Sequence, residues 1–183
     1  MSPPRGSNIP ADLRLPALDF LYRLDCVMSD DQFHINQPVG GQATRLVFPI
    51  SGGTVQGPKI SGVIVPNSGA DWATTFHGGA VMHLNARYTL RTNDGHHVFV
   101  RSRGVYLPDA NVESPEQPPT NVTQDQADWF TRLQFEACEG SYEWLNHVFA
   151  IGVLTMRDGH ILIDAYKVTN FPGRDERSLP SKI

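Results

Sequence analysis

The sequence has little of what marks several common protein classes. It carries 15 basic against 19 acidic residues, a formal net charge of −4, and no basic stripe that would bind a nucleic-acid backbone. No apolar run approaches the roughly 20 residues that cross a bilayer, and the first residues lack an apolar signal core. We therefore expect no nucleic-acid partner, no membrane partner and an intracellular protein.

Cysteine and metal-ligand spacing are also scarce. The only cysteines are Cys26 and Cys138, which we expect to be free and buried in a reducing compartment. Among the seven histidines, His96 and His97 are adjacent, so on a strand they point to opposite faces and cannot hold one ion together. The remaining histidines lack ligand spacing as well. We predict no metal and no cofactor.

Apolar residues recur mostly at period two, in short runs bounded by Gly, Pro, Asn and Asp, which favours strands over helices. The predicted strands are 17–28, 42–50, 59–66, 80–91, 97–107, 130–138, 148–156 and 160–169. Residues 93–95 (NDG) and 157–159 (RDG) fit tight hairpin turns. The pattern predicts an all-β fold, a closed eight-stranded antiparallel β-barrel that leaves room for one small ligand.

The chain length fits one domain. We predict a flexible, proline-containing arm at 1–16, a single barrel domain at 17–169 and a C-terminal tail at 170–183. A long Pro-rich loop at 108–128 is interpreted as a lid over one mouth of the barrel, with a passive insertion as the alternative. The last residues, 181–183 (SKI), are close to the peroxisomal Ser-Lys-Leu signal, so the predicted location is cytoplasmic or peroxisomal.

Several separated blocks combine turn glycines with polar or aromatic residues inside strand-like runs. These blocks are 52–58 (GGTVQGP), 70–72 (ADW), 85–90 (NARYTL), 93–95 (NDG), 135–136 (FE) and 142–146 (YEWLN). In order and spacing they resemble the DUF3237 family of small antiparallel barrels, relatives of the allene oxide cyclase-like and dirigent-like barrels. The resemblance spans 17–169. It implies a cofactor-independent isomerase or cyclase of secondary metabolism, a small-molecule substrate and a homo-oligomer.

The strand predicted at 80–91 has two different faces. His83, Asn85 and Arg87 share one face, and apolar residues share the other. If the polar row points outward, it is an ordinary solvated surface; if it points inward, it lines the cavity. The resemblance, whose pattern includes Arg87 and Tyr88, favours the inward orientation. That pattern has Asp where this chain has Asn85, which weakens a general-base role at this position.

Glu136 is the predicted acid or base on the strand at 130–138. A carboxylate inside a barrel must be paired or neutral, because an unpaired buried charge is costly. Arg45, Arg87 or Arg132 would be its partner, and a purely structural ion pair is the alternative. Near chain reversals, Trp72 and Trp144 are interpreted as one core residue and one pocket wall, without an assignment of which is which.

The leading hypothesis is therefore a cyclase or isomerase that folds a small hydrophobic, oxygenated metabolite, polyketide-like or phenylpropanoid-like by resemblance. Arg87 or Arg45 would stabilise a developing enolate or phenolate, and Glu136 or His83 would move a proton. The predicted substrate-binding residues are Asp71, Trp72, Asn85, Tyr88, Trp144 and Asn146. The alternatives are a non-catalytic carrier or dirigent-like binding protein, and a hydrolase or dehydratase on the same barrel.

Overall fold

The computed structural model describes residues 15–112 and 118–170. The strands are β1 Ala17–Met28, β2 Phe33–Asn36, β3 Thr44–Gln56, β4 Ser61–Ile64, β5 Gly69–Phe76, β6 Val81–Thr92, β7 His97–Pro108, β8 Ala127–Ala137, β9 Ala150–Arg157 and β10 His160–Thr169. Short 3-10 helices occupy Pro38–Gly40, His77–Gly79 and Glu143–His147. Residues 1–14, 113–117 and 171–183 lie outside the described part, and with them nearly all of the predicted arm, part of the predicted lid and the SKI terminus.

The strands form one antiparallel sheet whose pairings run in a ring. β1 pairs β10, and the order continues through β9, β8, β7 and β6. Both β4 and β5 lie between β6 and β3. β3 then pairs β1 through the register from Arg23↔Gln56 to Met28↔Ile50, which joins the two ends of the order. A ring of pairings leaves fewer strand edges exposed to other chains than an open sheet does.

The sequence predicted eight strands, and the structure has two more. β2 was missed because it is only four residues long and all four are exposed, so no buried row reveals it. β5 was missed because its polar residues, Asp71 among them, were interpreted as belonging to a turn. In the structure β5 pairs β3 along Thr44↔Thr75 to Ile50↔Gly69, and Asp71 lies in the middle of a strand.

The hairpin turn predicted at 157–159 is confirmed. Asp158 and Gly159 have φ values of 50° and 81° and close the β9–β10 hairpin at the pair His160↔Arg157. The glycine-rich segment that follows Ile50 begins at a bulge, because the β1–β3 register shifts between Val27 and Met28. At Gly53 a Cβ would lie 2.1 Å from the backbone oxygen of Asp25, so only glycine fits there.

The core lies on the inside of the ring. Every second side chain points inward, and the most deeply buried residues include Leu24, Val55, Leu90, Val98 and Val100. Cys26 belongs to this core, but Cys138 is exposed, which corrects the expectation that both thiols are buried; both are free. Within the described ranges, no helix is long and apolar enough to cross a membrane.

Candidate functional site

A cavity of about 340 Å³ lies inside the ring of strands. Its wall is mainly apolar, with side chains from the inward rows of β1, β3, β6, β7, β8 and β10. A volume of this size is at the small end of the range for sites that bind metabolites. Pro118 and Pro119, from the connection between β7 and β8, also line it. This connection is tied to the β9–β10 hairpin, because Gly159 N–H donates to Thr120 O over 2.9 Å.

The inward row of β6 is the apolar one. Met82, Leu84 and Ala86 line the cavity, whereas the intervening His83 and Arg87 are exposed on the outside. The predicted inward orientation of the polar row is therefore wrong. The physical reason is the ordinary one for a strand with two faces: burying a guanidinium without a carboxylate costs more than burying an apolar side chain gains.

Asp71 is the carboxylate that does line the cavity. It is 8% exposed, and it stands opposite Ala86, which in turn stands opposite Ser102, another residue of the wall. Its Oδ1 accepts the backbone N–H of Asn85 over 2.8 Å. Burial raises the pKa of Asp71 to about 6, and the hydrogen bond from Asn85 opposes part of that rise. A carboxyl group with this pKa can both accept and return a proton near neutral pH.

Further polar atoms in the wall lack partners. The Trp129 Nε1 and the Thr131 Oγ1 are buried, and neither makes a hydrogen bond to the described part of the chain. The buried hydroxyls of Tyr22 and Tyr88 interact with each other, and burial raises the pKa of both phenols. Buried polar groups are normally paired, so unpaired ones around a cavity indicate room for a bound polar atom.

Glu136 belongs to the outer face. Its side chain is 61% exposed, and its Oε1 lies 2.7 Å from Nη2 of Arg101. The expectation that it points inward is wrong, and so is the predicted pairing with Arg45, Arg87 or Arg132. The register of β7 and β8 explains the contact between Glu136 and Arg101. Gln134 stands directly opposite Arg101, and Glu136 follows Gln134 two residues later on the same face.

Trp72 contacts two arginines on another part of the outer face. Nη1 of Arg45 donates to the backbone oxygen of Trp72 over 2.8 Å, and the guanidinium of Arg87 lies 5.9 Å from the centre of the Trp72 ring. The side chain of Asn85 is also turned away from the cavity, since its Oδ1 accepts from Nε of Arg103 over 3.3 Å. The structure thus brings Arg45, Trp72 and Arg87 together, but outside the cavity.

The segment at 142–146 has a structural role. Asn146 holds the end of β8, because its Oδ1 accepts from Ala137 N–H over 2.7 Å and its Nδ2 donates to Ala137 O over 2.8 Å. Trp144 is half-buried against the core, with Nζ of Lys59 5.9 Å from its ring centre. Neither Trp72 nor Trp144 lines the cavity, so the prediction that one of them forms a pocket wall is wrong.

Of the predicted site residues, Asp71 and Tyr88 line the cavity. Sequence reasoning missed Ser102, Trp129 and Thr131. Part of the signal was available: on β8 the side chains at Trp129, Thr131 and Leu133 alternate with Asp128, Phe130, Arg132 and Gln134, and the row with fewer charged and amide residues is the one that turns inward. No group of three or more His, Cys, Asp or Glu side chains is arranged to hold a metal ion in the ranges 15–112 and 118–170.

Comparisons with known proteins agree with the fold. The family model described as "Protein of unknown function (DUF3237)" matches residues 16–168. A UPF0311 protein of Rhodopseudomonas palustris is 29% identical over 128 residues, which are 70% of this chain and 82% of that protein. A β-barrel-like protein from Acinetobacter baumannii has a similar structure, with a TM-score of 0.71 and 23% identity over 87% of this chain and 99% of that one. An enzyme from Penicillium herquei is similar at a TM-score of 0.61 and 18% identity, covering 84% of this chain and 94% of that one.

Proposed function

This chain belongs to the DUF3237 family, and we propose that it is a cofactor-independent cyclase or isomerase acting on a small hydrophobic, oxygenated metabolite in the cavity. We further propose that the ring of strands is a closed barrel in which β4 and β5 share one position between β3 and β6. The observation that carries the functional proposal is Asp71, the one carboxylate that residues 15–112 and 118–170 contribute to an otherwise largely apolar cavity wall.

In this proposal Asp71 is the proton-transfer residue. Its pKa of about 6 lets the ionised form take a proton from a substrate hydroxyl and the neutral form return it to carbon. In a ring closure the hydroxyl oxygen adds to the β-carbon of an enone: one C–O bond forms, the C=C π bond breaks, and the same proton ends on the α-carbon. No oxidant, reductant or added group is needed.

The remaining wall supplies positioning. Apolar side chains such as Leu84 and Ile163 exclude water and hold the substrate in the folded conformer that reacts, which is a large part of the rate advantage of an intramolecular reaction. This assignment replaces the predicted use of Glu136 and His83 for proton transfer and of Arg87 and Arg45 for charge stabilisation.

The test uses a panel of chalcones that carry a hydroxyl group ortho to the carbonyl. These ortho-hydroxychalcones cyclise to racemic flavanones in buffer. Wild type should accelerate closure and give one enantiomer in excess on a chiral column. Asp71→Asn should lower the rate by about 10²-fold or more, the usual range for loss of a proton-transfer group. His83→Asn, on the outer face, is the matched control and should keep wild-type turnover.

Racemic product at the buffer rate from wild type, for every member of the panel, would contradict the cyclase proposal. If calorimetry then showed that the same compounds bind, the mainly apolar wall would favour the second candidate, a carrier that shelters a hydrophobic metabolite. A change in product mass by one water would instead support a hydrolase or dehydratase.

A further inference from the structure

The unpartnered polar atoms of the cavity lie in different layers. The pairing register places Asp71, Ala86 and Ser102 in one layer. Thr131 stands opposite Gly104, two residues farther along β7, and Trp129 stands opposite Tyr106, four residues farther. At about 3.3 Å per residue, these layers are roughly 7 Å and 13 Å from the layer of Asp71. The cavity therefore has polar groups at two depths, the carboxylate of Asp71 at one and, in the next two inward layers, Thr131 and then Trp129.

The chemistry of the two depths differs. An indole N–H can only donate, so Nε1 of Trp129 needs an acceptor. A largely ionised carboxylate such as Asp71 accepts, and one of its oxygens already receives the N–H of Asn85. Thr131 can donate to the same acceptor as Trp129, because a hydroxyl is free to rotate.

Glycines flank Thr131 on both neighbouring strands. Gly152 stands opposite Thr131 in the register, and a Cβ at Gly152 would lie 2.7 Å from Oγ1 of Thr131. Gly104 is the neighbour on the other side. The residues directly opposite Thr131 therefore carry no side chain that could form a hydrogen bond with its hydroxyl. Trp129 is held separately by Tyr106, whose ring centre is 4.6 Å away.

We propose that Trp129 and Thr131 form a second polar subsite that binds an acceptor oxygen of the ligand. The inference rests on the proposed function only in taking the cavity as the ligand site. The ligand class is then an elongated apolar molecule with a hydroxyl at the Asp71 end and a further carbonyl oxygen, separate from the enone that reacts, nearer the Trp129 end. An unpaired buried donor is unfavourable, so occupancy of this subsite favours ligands with the carbonyl.

The experiment measures binding by calorimetry with two probes. One is para-hydroxychalcone, with the hydroxyl on the ring remote from the carbonyl. The other is its deoxo analogue, in which the carbonyl is a methylene. The variants are Trp129→Phe, which keeps a ring but removes Nε1, and Thr131→Val, which keeps the shape but removes the hydroxyl. Trp144→Phe is the matched control, because Trp144 lies outside the cavity wall.

Wild type should bind the carbonyl probe more tightly than the analogue. Trp129→Phe should weaken binding of the carbonyl probe by about tenfold and leave binding of the deoxo analogue unchanged. Thr131→Val should weaken binding of the carbonyl probe by a few-fold. Trp144→Phe should change neither. Thermal melting of each variant establishes that it is folded, and Thr131→Val decides the question if Trp129→Phe does not fold.

Two results would count against the subsite. Equal losses for both probes would show that Trp129 contributes packing only, and no loss for either would show that Nε1 does not meet the ligand. Both results would leave the proposed function standing. Failure of wild type to bind either probe would instead contradict this inference together with the cavity site on which it rests.

Discussion

The inner and outer faces of β5, β6, β7 and β8 are built from the same strands but hold different kinds of groups. The inner face is mainly apolar and contains Asp71, whose pKa is raised to about 6 by burial. The outer face carries several arginines, with Arg101 paired to Glu136 in solvent. A carboxylate on the inner face therefore has a raised pKa, whereas a carboxylate on the outer face forms an ordinary surface ion pair. The difference arises from desolvation, because both faces offer hydrogen bonds.

The largest contrast between the faces should appear in stability. Leu90 is fully buried inside the ring, and its neighbour Arg91 is exposed outside. Leu90→Ala should lower the free energy of unfolding by about 2–5 kcal/mol, because it leaves a cavity in the core. Arg91→Ala should change it by less than about 0.5 kcal/mol. Urea denaturation measures both, and similar losses for the two variants would contradict the assigned facing of β6.

The pH dependence of stability should distinguish the inner carboxylate. The pKa of Asp71 is about 6 in the folded protein against an ordinary value of 3.8 for an aspartate, so the folded state binds the extra proton between these values. The free energy of unfolding should therefore fall as pH rises from about 4 to about 6, by up to about 3 kcal/mol. Asp71→Asn, neutral throughout, should be more stable than wild type at pH 8, and this advantage should disappear near pH 4.

Thermal melting across that pH range provides the measurement. Asp128→Asn, an exposed residue at the start of β8, is the control and should follow wild type at every pH. A constant difference between Asp71→Asn and wild type at all pH values would mean that the carboxyl group is not desolvated. The expected gain in stability at pH 8 accompanies the expected loss of turnover, a trade that is common for functional groups buried in a cavity.

The smallest effect is expected on the outer face. Glu136→Gln removes one charge of the exposed pair with Arg101, so the free energy of unfolding should change by at most about 1 kcal/mol. Turnover of the ortho-hydroxychalcones should stay at the wild-type level. A large loss of turnover in a variant that melts like wild type would show that Glu136 takes part in the reaction, and it would contradict the assignment of catalysis to the inner face.

Much of the fold could be predicted from the sequence because its signals are local. The period-two pattern marked β6, β7 and β10 to within a residue at each end, and the turns at Gly95 and Gly159 require the positive φ that glycine tolerates. β5 could not be recognised, because an aspartate and a tryptophan side by side look like turn residues unless the flanking strands β3 and β6 are known.

The site was harder to predict than the fold. The alternation on β6 and β8 was recognised, but the sequence alone left open which row faces inward, and the family resemblance favoured the polar row. The structure turns Leu84 and Thr131 inward and leaves Arg87 and Glu136 in solvent. Trp129 was overlooked because the strand was predicted to begin at residue 130, whereas β8 begins three residues earlier at Ala127.

By itself the sequence determined that the chain forms antiparallel strands with two distinct faces, since side-chain alternation and turn glycines act over a few residues. Only the tertiary structure decided which face encloses the cavity and that Asp71 stands in its wall. Desolvation depends on all the strands that surround a group, and those strands come from distant parts of the chain.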